Sequence, residues 1–483
     1  MKKNSMITLP IMLFLFITLA ALSIAGIKMP VTILLLFAAV FTTVIAWFLG
    51  HSWFDIQNAV SEKVVGLLPS VYLLIGVGCM LGTWMISGTL PMLIRYGLIY
   101  IPPHSQVLAA FVLTSIVSII TGTSWGAVGT IGFAMIGVAQ TSGVPLAPIA
   151  GAIACGAYLG DKVSPLSRTT IIAATSAGAD VYTHIFTMMK ITFPAFIVSV
   201  ILFAGFGSNY GVTAQGLQEI ERTIQVISAV FAESFALWIP ILVLFIGAIL
   251  QLPGAPMMLL SSFVALINSL WIQDFTPLPT FNSLVFGFTT DIVPDVLQTA
   301  LRSTPTMQEF LTRGGLSIMF PTLLTMIVAY FFTGTISVCG AFEGFAEKMY
   351  GYIRSSRSLV FITMLVGCIA GFLSEIYIAL SVTGEIFKQA YPHLDVVPEV
   401  LSRTIEDVIT AVQPFIPWTA AGIYISYTLG VPTIEYLPWA FLTYTTIIFS
   451  IISTLTGIGM PKISQQQYEE QEYVPQEASV ESY

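Results

Sequence analysis

Gly160-Asp161-Lys162-Val163-Ser164-Pro165-Leu166-Ser167-Arg168-Thr169-Thr170 sets three ionisable side chains, four hydroxyls and a proline into a chain that is otherwise almost wholly apolar. Burying a charge in hydrocarbon costs several kcal/mol, so ionisable residues inside membrane segments usually line an ion or substrate path. The proline cannot continue a regular helix and leaves backbone groups free. A carboxylate, hydroxyls and free carbonyls together make a hard-oxygen site suited to a small cation. The stretch therefore reads as a broken helix within a membrane.

Composition agrees with that reading. Of 483 residues, 56% are hydrophobic and 9% charged, and the mean hydropathy is +0.89. Soluble domains carry about 25% charged residues, which argues against a globular enzyme. The net charge of −8 says little about partners, because Glu469, Glu470, Glu472, Glu477 and Glu481 crowd the C-terminal end. Residues 461–483 read as a disordered, polar, acidic tail. No basic patch suggests nucleic acid. Cys79, Cys155, Cys339 and Cys368 all lie in apolar segments, with no CxxC pair, and read as small buried hydrophobes.

Apolar runs long enough to cross a bilayer recur from end to end. In the first half they fall near 7–27, 29–49, 64–87, 106–121, 124–140, 146–160 and 184–206. The second half has runs near 234–250, 254–272, 316–340, 358–373, 376–391, 411–430 and 436–457. Several are short or interrupted, so the expected fold is an all-α polytopic membrane protein of roughly 10–12 crossings with broken or re-entrant pieces. Residues 1–206 form a first transmembrane half, 207–230 a polar linker and 231–460 a second half. The segment from Trp271 to Arg313 is more polar and reads as an extramembrane loop with a surface helix. Lys2 and Lys3 precede two apolar runs in immediate succession, which favours a first hairpin over a signal peptide and puts the N-terminus in the cytoplasm.

The halves share a register. An offset of 252 positions aligns Pro69 with Pro321, Gly88 with Gly340, Gly132 with Gly384, Pro165 with Pro417 and Gly178 with Gly430. Helix breaks at matching places in two halves mark the binding region of repeat-built transporters. Arg95 follows Gly88, whereas Lys348, Arg354 and Arg357 follow Gly340. Under the positive-inside rule those segments prefer opposite sides, as two inverted repeats require.

Four clusters could carry chemistry. Thr121-Gly122-Thr123-Ser124-Trp125-Gly126 puts hydroxyls at an apparent helix break, with Thr123 and Ser124 as neutral oxygen ligands. The opening stretch supplies Asp161, Ser164 and Thr170, with Asp161 able to hold a cation and a proton in turn; Asp180 and His184 at its far end read as membrane-edge residues. Glu406 and Asp407 are adjacent and point about 100° apart on a helix. Asp407 is the chosen ligand, with Arg403 one turn earlier as its partner. Glu375 stands one position from the repeat partner of Ser124 and could face the same cavity.

At these residues the chain resembles the NhaC family of sodium/proton antiporters. The resemblance rests on Gly-Thr-Ser-Trp-Gly at 122–126, Gly-Asp-Lys-Val-Ser-Pro-Leu-Ser at 160–167 and Ala-Gly-Ala-Asp at 177–180 with His184. Ser-Arg-Thr-Ile-Glu-Asp at 402–407 and Ile-Pro-Trp at 416–418 extend it, from about Asp55 to about Tyr444. It implies a multi-pass bacterial inner-membrane protein that exchanges Na⁺ for H⁺, some members coupling this to malate and lactate. This chain departs from the family pattern at Arg168, where an Asp is usual, at Val408-Ile409-Thr410 and at Thr419. Arg168, two turns beyond Asp161, would either pair with it or receive a substrate carboxylate. The sequence thus predicts a secondary transporter with Asp161, Ser124 and Asp407 around Na⁺, no enzymatic activity and no cofactor beyond the transported Na⁺ and H⁺. The alternative is a Na⁺- or H⁺-coupled exchanger of organic anions or amino acids. A phosphate-binding P-loop and a His-Glu-x-x-His motif are both missing. The lipid bilayer is the implied surrounding, and a homo-oligomer remains open.

Overall fold

The computed structural model describes residues 29–211, 214–290, 293, 298 and 305–462. The first apolar run, the N-terminal lysines and the acidic tail lie outside the described residues. Within them, eight helices are long and apolar enough to cross a membrane, or up to ten if each of two bent helix pairs is one span. The protein is a multi-pass, all-helical membrane protein.

In the first half, α1 (Val31–Phe48), α2 (Trp53–Ile86), α3 (Thr89–Tyr100) and α4 (Gln106–Thr121) come first. Then α5 (Ser124–Ala127) passes through a π-turn at Val128–Gly132 into α6 (Phe133–Ser142), followed by α7 (Leu146–Val163), α8 (Arg168–Ala177) and α9 (Val181–Gly207). Between the halves lies α10 (Ala214–Val230). The predicted polar linker is thus mostly helix, and it buries Ile220, Val226 and Ile227. Its apolar residues recur at helical spacing, a pattern that the count of polar residues concealed.

The second half continues with α11 (Ile239–Ile249), α12 (Gly254–Trp271), α13 (Pro277–Phe286) and α14 (Pro305–Leu311). After them come α15 (Phe320–Val338), α16 (Ala341–Tyr350), α17 (Ser356–Leu373), α18 (Ile376–Phe387) and α19 (Ala390–His393). The chain ends through α20 (Pro398–Val408), α21 (Ala420–Leu429), α22 (Thr433–Tyr436) and α23 (Phe441–Thr456). The segment read as an extramembrane loop is packed more deeply than expected. Its α13 lies against α2, with Ser283 and Gly315 pressed on Gly82, where a Cβ would come within 2.8 Å of the Gly315 nitrogen.

Small residues set the closest packing. The α4–α7 pair meets along Gly156 and Gly160, and Ser118 Oγ donates to the Ala157 carbonyl across the seam. Without a hydrophobic force between helices in lipid, such small-residue seams and their hydrogen bonds hold the bundle. A second apolar cluster joins α8, α17, α18 and α20 through Ala173, Val360, Leu380 and Leu401.

Four interruptions matter for function. The chain breaks between α4 and α5 at Gly122-Thr123, between α7 and α8 at Ser164–Ser167, between α17 and α18 at Ser374-Glu375, and between α20 and α21 around Pro414 and Pro417. Landmarks offset by 252 residues also agree in conformation. Gly88 and Gly340 both begin a helix with φ of +84° and +58°, while Gly178 and Gly430 both end one with φ of +77° and +70°.

Candidate functional site

The four breaks surround a cavity of about 520 Å³. Helix starts at Ser124, Arg168, Ile376 and Ala420 all contribute to its wall, as do the carboxylates Asp161 and Glu375. Of the predicted residues, Thr123, Ser124, Asp161, Arg168 and Glu375 line it; Ser164, Thr170 and Asp407 do not.

Asp161 occupies the last turn of α7 and is 7% exposed. A carboxylate there opposes the helix dipole, so something else must hold it. The start of α5 does. Ser124 Oγ donates to Asp161 Oδ2 at 2.5 Å, and the Ser124 backbone N–H donates to Oδ1 at 3.3 Å. From the second break Ser167 Oγ donates to Oδ1 at 3.3 Å. Thr169 and Thr170 hydroxyls donate to the Asp161 backbone carbonyl at 2.6 and 2.7 Å. Thr170 therefore fixes the backbone of the site and offers no oxygen to the cavity. Ser164 likewise ties the break together: its hydroxyl donates to the Ile119 carbonyl at 2.8 Å and accepts the Leu166 N–H.

Glu375 is the N-cap of α18 and accepts from the Tyr377 N–H at 2.7 Å. Thr123 caps α5 by accepting the Gly126 N–H. Neither Asp161 nor Glu375 forms an ion pair among the described residues.

Asp407 is placed differently from expectation. Its Oδ1 takes Lys162 Nζ at 2.9 Å, with both side chains wholly or almost wholly buried. Arg403, predicted as its partner, instead donates to the Gly459 carbonyl at 2.8 Å and reaches Ser453 Oγ at 3.4 Å. The physical reason is the packing of α20. A basic residue from another helix reaches Asp407 first, while the Arg403 guanidinium satisfies carbonyls left free after α23. Asp161 and Asp407 are thus not joined around one cation, and the described residues hold no group of three His, Cys, Asp or Glu that could bind a metal. Of the two alternatives for Arg168, the pair with Asp161 is not formed among the described residues. Arg168 is the first residue of α8, is exposed on the cavity, and makes no ion pair or hydrogen bond among the described residues.

Sequence reasoning missed three features. His184, read as a membrane-edge residue, is fully buried; its Nδ1 meets Ser402 Oγ at 2.7 Å and its Nε2 meets Glu406 Oε2 at 3.1 Å. Trp125 stacks on Tyr424 with centroids 4.2 Å apart and planes 4° from parallel, and Tyr424 Oη donates to the Trp125 carbonyl at 2.7 Å. Gln413 donates to the Gly371 and Ser374 carbonyls, closing the end of α17 beside Glu375. The alternation of polar residues on α20 was the available signal for the first. The other two join positions about 300 and 40 residues apart in sequence, where no local pattern points.

Comparison with known proteins gives consistent relatives. The model of the Na⁺/H⁺ antiporter family matches residues 3–188 and 156–458. An uncharacterized Na⁺/H⁺ antiporter of Haemophilus influenzae is 40% identical over 94% of this chain and 96% of its own. The malate-2H⁺/Na⁺-lactate antiporter of Bacillus subtilis is 32% identical, over 85% of this chain and 86% of its own. The Na⁺/H⁺ antiporter NhaC of Alkalihalophilus pseudofirmus is 31% identical, over 90% of this chain and 91% of its own. With a buried carboxylate held between helix breaks and matches along nearly its full length, the chain belongs to the Na⁺/H⁺ antiporter family.

Proposed function

We propose that this protein is a secondary transporter of the bacterial inner membrane that exchanges Na⁺ for H⁺ by alternating access, with Asp161 as the shared cation and proton site. The carrying observation is a contrast among buried acids. Asp407 has Lys162 and Glu406 has His184. Among the described residues Asp161 and Glu375, both on the cavity wall, have no basic partner; Glu375 caps its own helix, whereas Asp161 is held by hydroxyls and an N–H brought from two different helix breaks. An ionised carboxylate withdrawn from water needs a positive partner. Where the protein supplies none, a mobile cation or a proton can be that partner, and each excludes the other.

Ser124 Oγ and Ser167 Oγ already touch the carboxylate, and Thr123 stands beside them on the wall. These are hard oxygen donors suited to Na⁺. Release to the other side needs the carboxylate to part from the hydroxyls that α5 and the α7–α8 break bring to it, so these half-helices are the elements whose movement would open the site. The full chain in proteoliposomes loaded with NaCl and diluted into Na⁺-free buffer tests this. As Na⁺ leaves, protons enter, and an internal pH dye should report acidification; an unchanged internal pH contradicts the exchange.

A further inference from the structure

The cavity wall carries more charge than a Na⁺/H⁺ site requires. Besides Asp161 it presents Arg168 and Glu375, on the first turn of α8 and at the start of α18. Tyr377 lines the same cavity as all three charged groups. We infer that this cavity binds a neutral amino acid with an apolar side chain, its carboxylate on Arg168 and its ammonium on Glu375. The inference rests on the alternating-access reading above and extends the same site.

Charge balance selects the zwitterion. Arg168 contributes one positive charge, and Asp161 and Glu375 one negative charge each. A single Na⁺ or proton at Asp161 brings the wall to neutrality, and a zwitterion preserves it. A dicarboxylate would leave two uncompensated negative charges in a low-dielectric site, where such an excess is costly. The guanidinium suits a carboxylate because its planar fork donates two parallel hydrogen bonds, and its place at the first turn of α8 adds the favourable end of the helix dipole. Glu375 keeps one carboxyl oxygen on the Tyr377 N–H, which fixes its direction and leaves the other for an ammonium.

Much of the remaining wall is apolar or aromatic, with Trp84, Trp125, Trp238, Leu73, Met257 and Met258, beside uncharged polar groups such as Ser70, Thr130, Gln251 and Gln413. Such a lining suits an aliphatic or aromatic side chain, and a cavity of about 520 Å³ falls within the range of small-molecule sites. Among the described residues the Arg168 side chain makes no ion pair or hydrogen bond, which leaves the guanidinium available to a ligand carboxylate in the cavity.

The test uses the full chain in proteoliposomes, with labelled leucine, arginine, glutamate, malate and lactate offered one at a time under an imposed Na⁺ gradient. Internal pH is recorded in parallel. Saturable leucine uptake that exceeds arginine and glutamate uptake is the expected result. It should fall roughly tenfold or more in both Arg168→Gln and Glu375→Gln, as for loss of one partner of a desolvated charge pair, and partly return in Arg168→Lys. Matched elution of the variants on gel filtration guards against misfolding, and leucine counterflow supplies a second readout independent of the Na⁺ gradient. Na⁺-driven proton movement without leucine uptake would overturn the inference and leave the exchange reading intact. Leucine uptake without proton movement would do the reverse. Preference for malate, lactate, arginine or glutamate, or leucine uptake unaltered in both variants, would also overturn it.

Discussion

At the scale of single residues, the account turns on which buried charges have permanent partners. Asp161→Asn keeps the size of the side chain while removing the charge; its Oδ1 can still accept the Ser124 N–H, and its NH₂ would donate to Ser124 Oγ. Na⁺-driven proton movement should fall to the level of empty liposomes, with yield and elution unchanged. Asp407 is expected to behave in the opposite manner. Removing it leaves the buried Lys162 ammonium without its carboxylate, a defect worth about 3–5 kcal/mol. Asp407→Asn should therefore lower thermal stability and expression, and the double variant Lys162→Met with Asp407→Leu should restore most of the loss. A thermal-shift double-mutant cycle checks this. If Asp407→Asn is as stable as the parent but inactive, Asp407 is a transport ligand after all. Asp161, Ser124, Thr123, Glu375 and Arg168, read from the sequence as candidate ion or substrate ligands because polar groups at a helix break are visible as such, lie together on one cavity wall. The pairing of Asp407 with Arg403 read from the sequence differs from the structure, where Lys162, 245 positions away, takes that place and Arg403 donates to the Gly459 carbonyl.

Among the elements, the seam between α4 and α7 sets the position of Asp161. Gly156 and Gly160 let α7 approach α4 so closely that an added Cβ would strike backbone atoms of Phe111 and Ser118. Gly160 is also the neighbour of Asp161, so any widening there moves the carboxylate relative to Ser124. Gly160→Val should separate the helices at a cost of about 1–3 kcal/mol and reduce apparent Na⁺ affinity in the exchange assay. A variant that transports normally would show that the seam is not what places the site. Breaks at Pro165 and Pro417 were legible because proline and its flanking small residues punctuate apolar runs. The helix at Ala214–Val230 was not, since polar residues interrupt its apolar ones throughout and only the spacing of the apolar ones reveals the buried face.

For the whole molecule, the apolar runs made an all-helical multi-pass protein evident, because only helices and closed β-barrels satisfy backbone hydrogen bonds in lipid and continuous runs of about 20 apolar residues fit the helix. The packing of Pro277–Phe286 against α2 was not evident, because a short polar-flanked helix has no signature of depth. Matching left-handed glycines at Gly88 and Gly340, and at Gly178 and Gly430, favour a repeated architecture. An experimental structure should superpose residues 61–184 on 313–436 about a pseudo-two-fold axis in the membrane plane; a parallel relation would refute the inversion.

The central claim is that Na⁺ and a proton compete for Asp161, and proton release on Na⁺ binding tests it most directly. Purified protein in weakly buffered detergent is titrated with NaCl against a choline chloride control, across a series of pH values, with a pH dye as reporter. The account predicts proton release by the parent at some pH in the series and none by Asp161→Asn at any. Release from Asp161→Asn equal to that of the parent would place the exchanging proton on another residue and contradict the account.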